Sequence, residues 1–215
     1  MTGPKTDPMA GPMTGPMTGV MPAAMLRSPV ITRLPTGYPL LDNVLGGGWP
    51  VGVLTELLVA RHASGELGLL SPALALLTTA SWVILVAPPW LPYAPGLCWQ
   101  GLALNRVLMV RVRQPPEALW AAEEILRSGG CAGVIAWVEA AATHRTGHTL
   151  LQRLHLLAAR QQAWVVLIRS VRFRSERSPA PLRLQVLCPS AATLQLDIFK
   201  NGWRGAGTVS VERRF

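Results

Sequence analysis

Lysine is almost missing from this chain: of its 20 basic residues only Lys5 and Lys200 are lysine, and the rest are arginine. Cysteine is scarce as well, limited to Cys98, Cys131 and Cys188. Three widely spaced thiols are an odd set without metal-ligand spacing. They exclude a disulfide framework and a zinc module, and suit small buried hydrophobes in a reducing cytoplasm. Charged residues are sparse at 14% against 50% apolar, which excludes wholesale disorder. A long uninterrupted apolar run is also missing. Leu67 to Leu91 is nearly free of charge, but Ser71, Pro72, Thr78, Thr79, Ser81, Pro88 and Pro89 break it. A membrane-spanning helix needs about 20 predominantly apolar residues without such breaks. A buried helix over Leu69–Ala80 followed by a strand over Trp82–Val86 is expected instead. The N-terminus has no basic segment leading into an apolar run, so no secretory signal is expected.

What is present suits one domain of 215 residues with a sizeable core. Charge is uneven along it. Residues 1–144 carry eight basic and eight acidic side chains, and residues 145–215 carry twelve basic and three acidic, so the whole net charge of +9 lies in the last third. Such a patch is a footprint for nucleic acid or an acidic partner, or else a soluble face in an arginine-biased composition.

Residues 1–29 form a low-complexity leader in which Gly-Pro-Met-Thr repeats; Gly and Pro keep helix and sheet from forming there, and disorder is expected. From 30 to 215 a core domain is expected. A short helix (Tyr38–Leu45) and a Gly-Gly-Gly-Trp-Pro turn lead to a strand from Val53, then the helix and strand named above. Strands over Val107–Val112, Gly133–Val138 and Trp164–Arg169 follow, separated by helices over Glu117–Arg127 and Thr149–Gln162. Short all-apolar strands alternating with helices predict a parallel sheet covered on both faces. Beyond an Arg-, Ser- and Pro-rich loop, Leu182–Leu187, Thr193–Phe199 and Thr208–Arg213 alternate in character, with a turn at Asn201-Gly202. An α/β fold is therefore expected: a mainly parallel sheet flanked by helices, ending in an antiparallel β section.

The stretch VLTELLVARHASGELGLL (53–70) reads as a strand, a loop and the start of a helix, the shape of a P-loop. The chemistry is missing. A P-loop needs a lysine to reach the β/γ oxygens and a Ser or Thr to hold Mg²⁺. Here Gly65 is followed by Glu66, a carboxylate that repels a triphosphate, and by Leu67, which has no hydroxyl.

From Leu34 to Phe215 the chain resembles the ImuA family, RecA-like proteins associated with translesion DNA synthesis, in the group that also holds the SulA-type division inhibitors. The residues that carry the likeness are GGGWPVGVLTELL, GELGLLSPALALL, VILVAPPWLPYAPGL and ALWAAEEILRSG, in that order, together with RSGGCAGVIAWVEAA. The resemblance implies a RecA-like core without functional nucleotide motifs. The lysine position falls at Glu66, the hydroxyl position at Leu67, the water-activating position near Pro88 and the metal-holding position at Trp137. Phosphoryl transfer rests on positioning and on cationic stabilisation of the phosphates, so no catalytic residue, cofactor, metal or bound nucleotide is expected. By resemblance the chain is a cytoplasmic bacterial accessory factor of SOS mutagenesis. Its implied partners are an ImuB-like Y-family protein and an error-prone C-family DNA polymerase, with RecA and single-stranded DNA as further candidates. No membrane partner is expected.

Two surfaces are candidates for contact. The loop RSVRFRSERSPAPLRL offers Arg172, Phe173, Arg174, Arg177 and Arg183; arginine forks suit phosphates, and Phe173 suits stacking on a base. The resemblance matches this region to a loop that approaches single-stranded DNA; a solvated loop bordering a protein partner is the other reading. The proline-rich loop PPWLPYAPGLCW presents Trp90, Tyr93 and Trp99, either as interface anchors or as a lid over the sheet. His144, His148 and Glu139 raise a metal or acid/base cluster, against which stands a loop reading with too few ligands. Ser64 lacks a nucleophile-elbow pattern, and His155 lies on an otherwise apolar helix. Two functions outside the translesion reading stay open: a SulA-type inhibitor of the tubulin-like division protein, and a residual ATPase dependent on Glu139.

Overall fold

Strands that are apolar on both faces need cover on both sides, and that requirement organises residues 31–215. The computed structural model describes residues 1, 3, 31–62, 65–139, 145–188 and 190–213, with the backbone alone at 145 and 146. The chain divides into two units, Met1–Val30 and Ile31–Phe215. Nearly all of the Gly-Pro-Met-Thr leader lies outside the described residues, as do Ser64 and His144.

In chain order the elements are β1 (Arg33–Leu34), α1 (Pro39–Leu45), β2 (Trp49–Pro50), β3 (Leu54–Val59), α2 (Glu66–Thr78), β4 (Trp82–Val86), α3 (Ala94–Trp99), β5 (Val107–Val110), α4 (Glu117–Ser128), β6 (Cys131–Val138), α5 (Arg145–Gln161), β7 (Trp164–Ser170), β8 (Leu182–Leu187), β9 (Thr193–Asn201) and β10 (Gly207–Glu212). Eight strands form one sheet in the order β10-β9-β8-β3-β7-β6-β4-β5, and β1 pairs with β2 apart from it. From β8 to β5 every pairing is parallel; β8–β9 and β9–β10 are antiparallel. The fold is thus α/β, a large and mostly parallel mixed sheet flanked by helices, with antiparallel strands at its C-terminal end.

Alternation along each strand sorts the core into two layers. Leu57, Val59, Leu85, Ile135, Trp137, Val166 and Ile168 face the layer that includes α1 and α2 residues such as Leu41, Leu45, Leu69 and Leu74. Val86, Val134, Ala136, Val138, Val165 and Leu167 face α4 and α5 through Ala122, Leu126, Leu154 and Ala158. The C-terminal strands contribute Leu184, Val186, Leu196, Ile198, Val209 and Val211 to the first layer alone, so they read as alternating where the parallel strands read as continuous. Between α4 and α5 the buried Glu123 bonds Arg127 on its own helix and Arg153 on the next.

Helix starts differ most from expectation. α2 begins at Glu66, three residues before Leu69, because Gly65 at φ +95° supplies a left-handed turn into the helix. Pro72 lies inside α2 and donates no N–H to the Gly68 carbonyl four residues back. The Ser71 hydroxyl supplies that bond at 2.8 Å, which lets the helix run through. α5 begins at Arg145, so His148 is helical rather than in a loop. Gly147 lies in the first turn, where helix ends fray and a glycine's backbone freedom costs least. The short helix α3 and the β1–β2 pair were not legible beforehand. No helix among the described residues is long and apolar enough to cross a membrane.

Candidate functional site

Because β3, β4, β5 and β6 run parallel, their carboxyl ends and following loops lie along one edge of the sheet, where ligand crevices form in open α/β folds. Two adjoining cavities open there. The first, about 250 Å³, is walled by Gly65–Gly68 at the start of α2, by Pro88, Pro89, Trp90 and Pro92 after β4, and by Trp137 on β6. The second, about 370 Å³, is walled by His62 after β3, Ala87–Pro89 after β4, Arg111–Pro115 after β5, Trp137 on β6 and Glu139 just after it. Pro88, Pro89 and Trp137 are common to both. Ala87 carries φ +53°, a left-handed conformation rare for a residue with a Cβ. Its N–H bonds the Val110 carbonyl at 2.8 Å, which turns the chain into the Pro-Pro ridge.

The structure gathers Gly65, Glu66, Leu67 and Trp137 around the smaller cavity. Glu66 is only 3% exposed at the first position of α2. A carboxylate is favourable at a helix N-terminus, and it occupies the end of the helix where a phosphate would be cradled. Leu67 packs against the core, and Trp137, 5% exposed, fills the end of β6 with apolar volume. Its indole N–H is buried with no acceptor among the described residues.

Around the larger cavity the ionisable groups are unevenly engaged. His62 Nε2 bonds Glu139 Oε1. Arg172 reaches the same residue, with Nη2 2.9 Å from the Glu139 carbonyl oxygen and 3.5 Å from Oε2. Glu139 therefore pairs with His62 and Arg172; His144 is outside the described residues, and among those described no hydrogen bond or ion pair joins His148 to Glu139. A carboxylate-oriented imidazole can move a proton, but the described lining residues supply no Ser, Thr or Cys beside it to act as nucleophile. Arg111 and Arg113 are exposed, and their guanidinium groups have no hydrogen-bond or ion-pair partner among the described residues. His62, Arg111 and Arg113 escaped the sequence reading. The Arg-x-Arg step leaving an edge strand was the available signal, since residues two apart share a face of extended chain.

Trp90, Tyr93 and Trp99 are 70%, 74% and 90% exposed, and Leu91 beside them is also exposed. Leu97 alone in α3 is buried, and it holds the loop down. The aromatic side chains of this loop thus face outward rather than folding back over the sheet.

The basic loop is arranged otherwise. Glu56, fully buried on β3, lies opposite Arg183 in the β3–β8 register. It accepts from Arg183 Nε at 2.7 Å, Arg169 Nη1 at 3.2 Å and Ser178 Oγ at 2.8 Å. Arg169 Nη2 also bonds Glu176 at 2.8 Å. The remaining Arg183 donors bond the carbonyls of Phe173, Arg174 and Glu176 at 3.0–3.1 Å. Phe173 is buried, with the Arg169 and Arg172 guanidinium carbons 4.5 and 4.6 Å from its ring centre. This differs from the expectation of a stacking residue beside a phosphate-binding fork: Phe173 and Arg183 tie the loop to the sheet. Arg174 bonds Gln185 and pairs with Asp197 at 2.8 Å. Arg172 and Arg177 are exposed. The physical reason is the buried Glu56 carboxylate, which demands cationic partners at close range. Beside the network, burial and then the Arg183 charge lower the Lys200 pKa, while Glu56 acts in the opposite direction.

No group of three or more His, Cys, Asp or Glu able to hold a metal occurs among the described residues. No protein-family model matches the chain. No curated protein matches it either.

Proposed function

We propose that this chain is a non-enzymatic docking factor of SOS-induced translesion DNA synthesis, built on a RecA-like core whose nucleotide site has been filled. One observation carries the reading: the buried Glu66 carboxylate at the start of α2, in a cavity also walled by Trp137 and Pro88, where a triphosphate and its metal would need cations and oxygen ligands. The parallel sheet, with β3 running into a loop and then α2, supports the RecA-like part. The outward Trp90, Tyr93 and Trp99 support docking, since exposed aromatic side chains are interface anchors. The partners in this reading are an ImuB-like Y-family protein and an error-prone C-family DNA polymerase, with RecA or single-stranded DNA beside them.

Co-purification of the tagged full chain from DNA-damaged cells tests it. The Y-family protein and the polymerase are expected in the eluate. Their absence, together with cell filamentation on expression and capture of the tubulin-like division protein, assigns the chain to the SulA-type inhibitors instead.

A further inference from the structure

We propose that the two cavities at the strand ends act as one groove for an acidic, extended segment of a partner protein. Its carboxylates meet Arg111 and Arg113, and an apolar side chain enters the chamber lined by Leu67 and Trp90. The inference rests on the docking role above and adds the chemistry of the occupant.

Charge complementarity is the first support. Arg111 and Arg113 line the 370 Å³ cavity and are exposed, with guanidinium groups that have no partner among the described residues. Only the backbone N–H of Arg113 is engaged, by Glu117 at 2.9 Å. Glu139, the carboxylate in the lining, is already held by His62 and Arg172. Two guanidinium forks facing an open cleft are a match for carboxylates.

The wall between the chambers is the second support. Trp137 is 95% buried and lines both cavities, and its indole N–H meets no acceptor among the described residues. Buried indole N–H groups ordinarily find one. That N–H is closed to solvent in the free chain, so a backbone carbonyl of a segment crossing between the chambers reaches it only when the Trp137 ring shifts on binding.

The rim decides between classes of occupant. Trp90, Leu91, Tyr93 and Trp99 stay mostly bare beside the smaller chamber, and a small metabolite seated in the cavity leaves them so. A protein segment and its parent domain cover them, as exposed large apolar side chains favour. Single-stranded DNA fits less well. A polyanion needs a track of cations, whereas this groove has two unengaged guanidinium groups at one end and Glu66 beneath the other. A segment with acidic residues on one side of an apolar anchor places its charge where the groove has its own.

The test is fluorescence anisotropy on the full chain. The probe is a fluorescein-labelled ten-residue peptide with three consecutive aspartates followed by leucine and phenylalanine. Saturable binding in the micromolar range is expected. The R111E/R113E pair should weaken it at least about tenfold, as should W90A, and so should replacing the probe's leucine and phenylalanine by serine. Unfolding midpoints of these surface variants serve as the folding control, with R111Q/R113Q replacing any variant that shifts. Three results overturn the proposal: no saturable binding to the wild type, binding indifferent to the variants, or a twenty-nucleotide oligothymidine that binds through Arg111 and Arg113 when the peptide does not. Capture of the polymerase partners is measured in parallel. Wild-type capture that survives R111E/R113E contradicts the groove and leaves the docking role standing. Wild-type failure to capture contradicts the docking role, and the peptide titration still decides the groove.

Discussion

Two regions of this molecule combine arginine with aromatic rings, and they are opposite in kind. In the loop after β7, Arg169 and Arg183 converge on the buried Glu56, Arg174 pairs with Asp197, and Phe173 is covered by guanidinium groups. At the strand ends, Arg111 and Arg113 have no such partners, and Trp90, Tyr93 and Trp99 face outward. The same residue types hold a loop in one place and present a surface in the other. The difference is the local carboxylate: Glu56 lies at the centre of the first region, and the second has none that is unengaged beside its arginines. Arginine content therefore locates basic character but not recognition.

Removing the centre of the buried network is the strongest way to break this contrast. Glu56→Ala takes the shared carboxylate from two buried guanidinium groups, leaving Arg169 with Glu176 and Arg183 with backbone carbonyls, and a loss of about 3–5 kcal/mol is expected. Equilibrium urea unfolding reads it as a lower midpoint at constant slope. A loss below about 1 kcal/mol would mean that the loop is held by something other than these pairs.

Next in size is Glu66→Lys, which supplies the lysine that the proposed RecA-like reading expects at this position. The site is buried and lies at a helix N-terminus, so a cation there should cost about 1–3 kcal/mol. Calorimetric titration of the variant with MgATP should show no saturable heat, because Leu67, Pro88 and Trp137 still leave the metal and water without ligands. Saturable binding of the nucleotide would show that one side chain alone keeps it out of this site.

Trp99→Ala sharpens the other side of the comparison. At 90% exposure its removal should alter stability by no more than about 0.5 kcal/mol while reducing partner capture. A destabilised but still capturing variant reverses the assignment of that ring from anchor to packing.

The smallest effect concerns pH. His155 accepts from the Leu54 N–H through Nδ1 at 3.3 Å. Burial first, and the Lys200 charge second, push its pKa below the ordinary 6.5. The native state therefore binds its proton less readily than the unfolded chain does, so this contribution is present above 6.5 and is lost as pH falls towards the folded value. In unfolding measured between pH 7 and pH 5, His155→Gln should flatten the acid-side decline. An unchanged slope would place the pH dependence elsewhere.

Much of the fold was legible because apolar alternation and turn residues are local signals. Trp82–Val86 and Leu182–Leu187 are strands with the expected bounds, and the antiparallel ending followed from alternation in Thr193–Phe199. The passage from a strand into a helix across 53–70 was legible as well, with β3 over Leu54–Val59 and α2 from Glu66. The site was less so, because pairing across the sheet is a matter of register. Nothing in the order of residues says that Glu56 faces Arg183, 127 positions away, or that His62 meets Glu139. The start of α5 was missed for a local reason, since Thr146 and Gly147 read as a loop, and α2 starts three residues earlier than the expected Leu69. Here Gly65 introduces a helix, Ser71 repairs the gap at Pro72, and Gly147 lies in a first turn.

Hydrogen exchange of the full chain, alone and with the ImuB-like protein bound, compares the two regions in one measurement. Protection is expected across 88–99 and 111–114, with 171–183 unchanged. Protection confined to 171–183, with the strand-end cleft exchanging as in the free chain, would contradict the account.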